Sequence, residues 1–252
     1  MMIIRAMVSG CNLLAVKPSA NPFNNVKSEI DFAAITPYQF IHSYHTVRDL
    51  PIRKIIIGGS QVSLHLQKLM EELQTEMFET YGMTETCSHI ALRRLNGKGA
   101  TDFFELLPGI SIGQDQRNCL VIKAPLLTPS ELVTNDVVEI ADENHFRWLG
   151  RFDHVINTGG IKVFPEQIER KLEPFINRRF FVGALPDAQL NEKVVLIIEG
   201  DPLIAEEETK LKYFMEENLS KFEKPKAFLY RDAFDISTSG KILKSKILQN
   251  YS

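Results

Sequence analysis

Apolar and polar positions change period several times along the chain, and each change marks an element. Residues 1–9 carry helical spacing, and the short apolar run at 12–16 reads as a buried strand. From 30 to 44, Phe32, Ile35, Phe40, Ile41 and Tyr44 recur at helical intervals, in a helix that Pro37 would interrupt. Residues 52–57 form a β-branched run ending in Gly58-Gly59-Ser60. Ser60 is placed to cap a helix in which Val62, Leu66, Leu69, Leu73 and Met77 share one face. Residues 77–81 then read as another strand. Strand, glycine turn, helix and strand together predict a βαβ unit with a parallel sheet.

Between 97 and 149 the pattern shortens to strands such as 119–123 and 136–140, separated by turn residues, as in a small β-rich subdomain. Beyond it Pro165 suits the first turn of a helix containing Ile168 and Leu172. Residues 180–184 and 193–199 read as strands. Residues 206–222 are amphipathic, with Leu211, Phe214, Met215, Leu219 and Phe222 on one face. The prediction is an α/β chain: an α/β domain with a parallel sheet and a small β subdomain over 1–152, then a compact α+β domain over 153–252.

Composition narrows the classes. The chain has 252 residues, 44% hydrophobic and 24% charged, as ordinary globular proteins do. A net charge of −3 with both signs interspersed gives no electrostatic case for nucleic acid or for an anionic membrane. No apolar run approaches the roughly 18 residues of a membrane span. Cys11, Cys87 and Cys119 are too scattered for a disulfide framework or a zinc site and suit a reducing cytoplasm. The segment from Met7 to Cys11 looks like a lipid-attachment box, but the apolar run after Arg5 is too short for a signal peptide.

Three motifs carry chemistry. Tyr81-Gly82-Met83-Thr84-Glu85-Thr86 follows a predicted strand, and its hydroxyl and carboxylate on a glycine-softened turn can hold a phosphate oxygen and its Mg²⁺ together. Taken alone, it reads as a turn followed by helix-start residues. Gly150-Arg151-Phe152-Asp153 leads to Thr158-Gly159-Gly160 and then to Pro165-Glu166-Gln167-Ile168-Glu169; taken alone, these are a linker, a hairpin and a capped helix. Ser237-Thr238-Ser239-Gly240-Lys241 lacks the first glycine of a Walker loop, and Ile242 replaces its Mg²⁺-binding hydroxyl.

In order and spacing the three together resemble the AMP-forming acyl-adenylating superfamily of acyl-CoA synthetases, adenylation domains and luciferases. Gly58-Gly59-Ser60 stands at the place of its adenine-side glycine loop, and Leu132-Val133-Thr134-Asn135-Asp136 at its threonine-glycine-aspartate stretch. Leu185-Pro186-Asp187 with Glu192 is similar to its C-domain strand motif, and Lys224-Pro225-Lys226 precedes its terminal lysine motif. The resemblance runs from Ile52 nearly to the end of the chain.

The resemblance implies ATP, Mg²⁺ and CoA. Gly58, Gly59, Ser60, Tyr81 and Gly82 would surround the nucleotide, with Thr84 at the α-phosphate and Glu85 on the Mg²⁺ of ATP. Asp136 would accept bonds from the ribose hydroxyls, supported by Arg151. Asp153 would be the hinge about which a mobile lid, 153–252, turns between half-reactions. Lys241 would bridge carboxylate and phosphate oxygens during adenylation, and Gly159 and Gly160 would flank the path of the CoA thiol. Asn157 stands where the family often has a lysine, so it takes no role. Residues 1–152 would be the C-terminal part of the large nucleotide- and acyl-binding domain. Nothing in residues 1–50 resembles the family's phosphate loop, so the expectation is a truncated chain, inactive by itself.

Residues 81–92, 132–136 and 148–160 are most similar to the o-succinylbenzoate–CoA ligases of menaquinone biosynthesis. That implies o-succinylbenzoate as the acid, with Ser88 and His89 in the acyl pocket. Another acyl- or aryl-CoA ligase, a carrier-protein-loading enzyme and a non-catalytic fragment remain as alternatives, and the oligomeric state is open.

Overall fold

The structure, a computed structural model, describes residues 2–237 and 242–251. The chain divides into two compact units, Met1–Thr134 with Val138–Trp148, and Asn135–Val137 with Leu149–Ser252.

In the first unit α1 (Met2–Ser9) is followed by irregular chain. Residues 12–16 form no strand, and Leu13, Leu14 and Val16 are exposed. Apolarity alone does not make a strand; a neighbour must supply the ladder, and no described strand runs beside this segment. The helix expected over 30–44 also resolves differently, into strand β1 (Ile30–Ile35) and helix α2 (Pro37–Asp49). Pro37 begins α2 rather than interrupting it. Thr36 Oγ1 accepts the Gln39 N–H at 3.2 Å, while Gln39 Oε1 accepts the Thr36 N–H at 3.1 Å, a reciprocal capping box.

Strand β2 (Ile52–Ile57), helix α3 (Leu64–Glu71) and strand β3 (Glu76–Gly82) complete the βαβ unit, and β1, β2 and β3 are parallel. The cap of α3 is Ser63, whose Oγ accepts the Leu66 N–H at 3.2 Å, not Ser60. Val62, Leu73 and Met77 lie outside α3 but are buried with Leu66 and Met70, so their helical spacing reflects a shared core. The buried Asn96 secures the return to β3. Its amide donates to the carbonyls of Met70 and Thr75, both at 2.9 Å, and its oxygen accepts the Met77 N–H at 3.0 Å.

After β3 the chain reverses into β4 (His89–Arg94), antiparallel to β3. Strands β5 (Phe104–Leu106), β6 (Ser111–Gln114), β7 (Cys119–Lys123), β8 (Leu132–Ile140) and β9 (His145–Arg151) extend the same sheet, ordered β1-β2-β3-β4-β5-β9-β8-β7-β6. The β-rich stretch has its own apolar cluster around Ile90, Leu120, Ile122 and Phe146.

The second unit holds β10 (Ile156–Thr158), β11 (Ile161–Val163), α4 (Pro165–Leu172), β12 (Phe180–Asp187), β13 (Asn191–Glu199), α5 (Ala205–Asn218), β14 (Ala227–Arg231) and α6 (Lys244–Leu248). Its sheet runs β11-β10-β13-β12, with β14 also paired to β13. Helix α5 stops at Asn218. Leu219 is already extended, yet it is buried with Leu211 and Met215, and Phe222 packs beside them. Among the described residues no helix is long and apolar enough to cross a membrane.

Candidate active site

Strands β1, β2 and β3 end at Ile35, Ile57 and Gly82, on one edge of the sheet. Ligands of open α/β sheets gather at such carboxyl ends. The connections there enclose a cavity of about 550 Å³, lined among others by Arg5, Thr36, Gly58, Gly59, Gly82, Thr84, Ser88 and His89. Six residues singled out in the sequence thus share one cavity. Ser60, Tyr81 and Glu85 do not line it. The Tyr81 ring instead packs edge-on against Phe104 and Phe146, with centroids 5.8 and 5.1 Å away.

The turn after β3 is held by its own backbone. Thr84–Thr86 makes a single 3₁₀ turn, closed by the Cys87 N–H on the Thr84 carbonyl at 3.0 Å, with Cys87 left-handed at φ +59°. The buried Thr86 hydroxyl accepts the Met83 N–H at 3.0 Å and donates to the Ser88 carbonyl at 2.7 Å. This bracing leaves Thr84 and Glu85 exposed. Glu85 has no hydrogen bond or ion pair among the described residues, and these hold no group of three or more potential metal ligands. One unengaged carboxylate is the donor set that Mg²⁺ arriving on a nucleotide requires, because phosphate oxygens and water fill its other positions.

Sequence reading missed Arg5, the sole charge of α1. Its Nη2 donates to Ser88 Oγ at 3.1 Å and meets His89 Nδ1 at 2.9 Å. Arginine can only donate, so Nδ1 is the acceptor and Nε2 carries the proton of the neutral ring. Burial, and then the Arg5 charge, hold the His89 pKa below its ordinary value. Among the described residues, Arg5, Cys87 and His89 are the titratable side chains of the lining, and none of the lining residues is a carboxylate. The cavity is therefore electrostatically suited to an anion.

In the second unit Asp136 is buried, with Arg151 Nη1 at 3.8 Å from its carboxylate and Arg151 Nη2 at 3.2 Å from Asp153. Burial alone would raise the Asp153 pKa. Its own backbone N–H, Arg151 and His154 outweigh that and hold the carboxyl below its usual range. His154 meets the buried Glu166 at 2.5 Å, beside Gly150. Gly159 and Gly160 form the β10–β11 turn at φ +57° and +80°. Glu192 Oε2 accepts the Asn157 N–H at 2.6 Å, and the Leu190 carbonyl accepts the Gly159 N–H at 2.8 Å, fixing that turn. Lys241 lies outside the described residues.

No family model matches the chain. A solved structure does: an acyl-CoA synthetase (AMP-forming)/AMP-acid ligase II-like protein from Dyadobacter fermentans is 34% identical, over 94% of this chain and 70% of that one, with a TM-score of 0.53. The chain belongs to the AMP-forming acyl-CoA ligases. Among the curated acyl-CoA ligases, the 2-succinylbenzoate–CoA ligase of Lactococcus lactis is 26% identical over 237 residues, 87% of this chain and 51% of its own length. The o-succinylbenzoate coenzyme A synthetase of Bacillus subtilis, solved in complex with ATP and magnesium ion, shares the ligase fold at a TM-score of 0.70 and 21% identity, over 87% of this chain and 51% of that one. The chain spans about half the length of the curated relatives it matches.

Proposed function

We propose that this chain serves an acid–CoA ligase that works through an acyl-adenylate, with o-succinylbenzoate as the acid. The observation that carries the reading is the cavity at the ends of β1–β3, which combines a glycine loop, the exposed Thr84 hydroxyl and the Arg5 cation in one anion-suited space. An acyl-adenylate has the matching features: a nucleotide, a bridging phosphate and an acyl group. The Arg5 guanidinium and the His89 Nε2–H suit an acid with a second anionic group, as o-succinylbenzoate has.

In the first half-reaction a carboxylate oxygen of the acid attacks the α-phosphorus of ATP, and pyrophosphate leaves with the electrons of the broken P–O bond. Thr84 donates to the α-phosphate, while Glu85 would hold the Mg²⁺ that arrives on ATP. Asp136 takes the ribose hydroxyls as an acceptor with two oxygens, steadied by Arg151. Lys241 stabilises charge on the oxygens of the forming mixed anhydride. In the second half-reaction the CoA thiol gives its proton to solvent and attacks the acyl carbonyl, and AMP leaves with the electrons of the broken acyl C–O bond. Gly159 and Gly160 keep the thiol's path clear of side chains, and Asp153 is the hinge between the two steps.

Calorimetric titration with non-hydrolysable acyl-adenylate mimics tests the reading. Preference for the o-succinylbenzoyl mimic over decanoyl and benzoyl mimics supports it. The reverse preference moves the substrate to fatty or simple aryl acids, and binding of none of them removes the adenylating assignment.

A further inference from the structure

We infer that Glu79 is a positioning residue whose buried carboxylate holds the glycine loop, residues 58–62, in the conformation that receives the nucleotide. The inference rests on the adenylating reading above. Glu79 lies in β3, beside Ile57 of β2 in parallel register and Arg93 of β4 in antiparallel register. It therefore sits where the parallel half of the sheet meets the antiparallel half.

Its side chain is 5% exposed and that of Arg93 only 3%. One carboxylate oxygen pairs with Arg93 Nε, and the other accepts the N–H of Val62 at 2.9 Å. Arg93 is itself secured, by Asp102 at 2.9 Å and by the Phe104 ring 5.4 Å from its guanidinium carbon. Val62, fully buried, ends the loop that leaves β2. At the other end the Gly58 N–H donates to the Ile35 carbonyl at 3.1 Å, and a β-carbon added to Gly58 would collide with the Thr80 hydroxyl. Gly58-Gly59-Ser60-Gln61 is thus strung between two fixed points, and the far one is a side chain seventeen residues away.

A buried ion pair is a weak source of net stability, because desolvation of both charges offsets their attraction and an apolar pair of similar volume does as well. An apolar pair cannot accept a backbone N–H. What Glu79 supplies is therefore the position of Val62, and through it the loop that faces the cavity.

The test compares Glu79→Gln, which keeps an acceptor for Val62, with the double variant Glu79→Leu/Arg93→Leu, which replaces the pair by apolar side chains. Amide hydrogen exchange is read over residues 58–62, and AMP affinity is read by calorimetry. The double variant should fold, exchange the Val62 amide about tenfold faster or more, and bind AMP about tenfold more weakly, the scale of one lost hydrogen bond. Glu79→Gln should stay within about threefold of the wild type on both. Wild-type exchange and AMP affinity in the double variant would overturn the inference. If the double variant does not fold, an amide-to-ester replacement at Val62 deletes the same N–H alone and must give the same two changes. If the wild-type chain binds no AMP, the adenylating reading fails, and exchange over 58–62 still decides whether Glu79 holds the loop.

Discussion

Gly82 stands hard against the backbone of His89. A β-carbon at position 82 would lie 2.5 Å from the His89 Cα and equally close to the Ser88 carbonyl oxygen. Both are main-chain atoms, so no side-chain rotation relieves the overlap. The pairing of β3 with β4 shifts register at Tyr81 and Gly82, and this close approach is what the shift requires. Gly82→Ala should therefore cost about 3 kcal/mol of stability, as overpacking does, read in urea denaturation. Gly160→Ala faces open space and only the strain of φ +80°, so it should cost about 1–2 kcal/mol. Equal costs would mean that β4 moves freely to accommodate a methyl group.

His89 should titrate below an ordinary histidine, and Arg5→Met should raise its pKa only part of the way back. Burial, the larger cause, persists when the charge is removed. The sign follows from linkage. A histidine harder to protonate when folded leaves stability intact above its unfolded pKa of about 6.5 and lowers it as pH falls through the folded value. Imidazole NMR titration gives the pKa, and urea midpoints between pH 4 and 8 should fall on the acid side.

Asp153 should behave as a depressed carboxyl. Its contribution is present above the unfolded pKa and is lost as pH falls through the lower folded value, in the acid range below about pH 4. The side chain is 49% exposed, so solvent screens the interaction and the stability change will be slight. Carbon-detected NMR of the carboxyl is the better measurement. Arg151→Met should move the Asp153 pKa upward, and no movement would separate the two groups electrostatically.

In an enzyme that carries the family's phosphate loop together with this chain, the two half-reactions should respond to different residues. Lys241→Ala should slow adenylation by roughly 10²–10³-fold, the scale for a lost electrostatic stabiliser, and largely spare thioester formation from supplied acyl-adenylate. Gly160→Leu should do the opposite. ATP–pyrophosphate exchange reads the first step and stopped-flow thioester formation the second; equal damage to both by each variant would refute the division.

Local sequence carried the elements whose cause is local. The β-branched run of β2 and the apolar run of β7 were legible because a strand needs little more than such a run with turns at its ends. β1 was not, since Phe32 and Ile35 fall by coincidence on the helical spacing continued by Phe40, Ile41 and Tyr44 of α2. The corrective signal was present all the same, in Thr36-Pro37-Tyr38-Gln39, a capping box with proline at the first helical position. Gly82, Thr84, Ser88 and His89 could be singled out because one short motif holds them. Arg5 could not, because it meets His89 across 84 residues. The run at 12–16 misled for a related reason, since a strand needs a neighbour and no local pattern reveals that none of the described strands lies beside it.

The reversal at β3 has a further consequence. Three strands finish at the cavity, whereas β4 starts there, so Ser88 and His89 enter it from a different structural source than the glycine loop and Thr84. The 84–88 turn is braced by the Thr86 hydroxyl and by main-chain groups of Met83, Thr84, Cys87 and Ser88, and the side chains of Ser88 and His89 take no part in that bracing. On the proposed function, selectivity would thereby be decoupled from nucleotide handling. Side chains at positions 5, 88 and 89 could then be exchanged as a set, retuning one scaffold to new acids while the machinery that would activate them is left undisturbed.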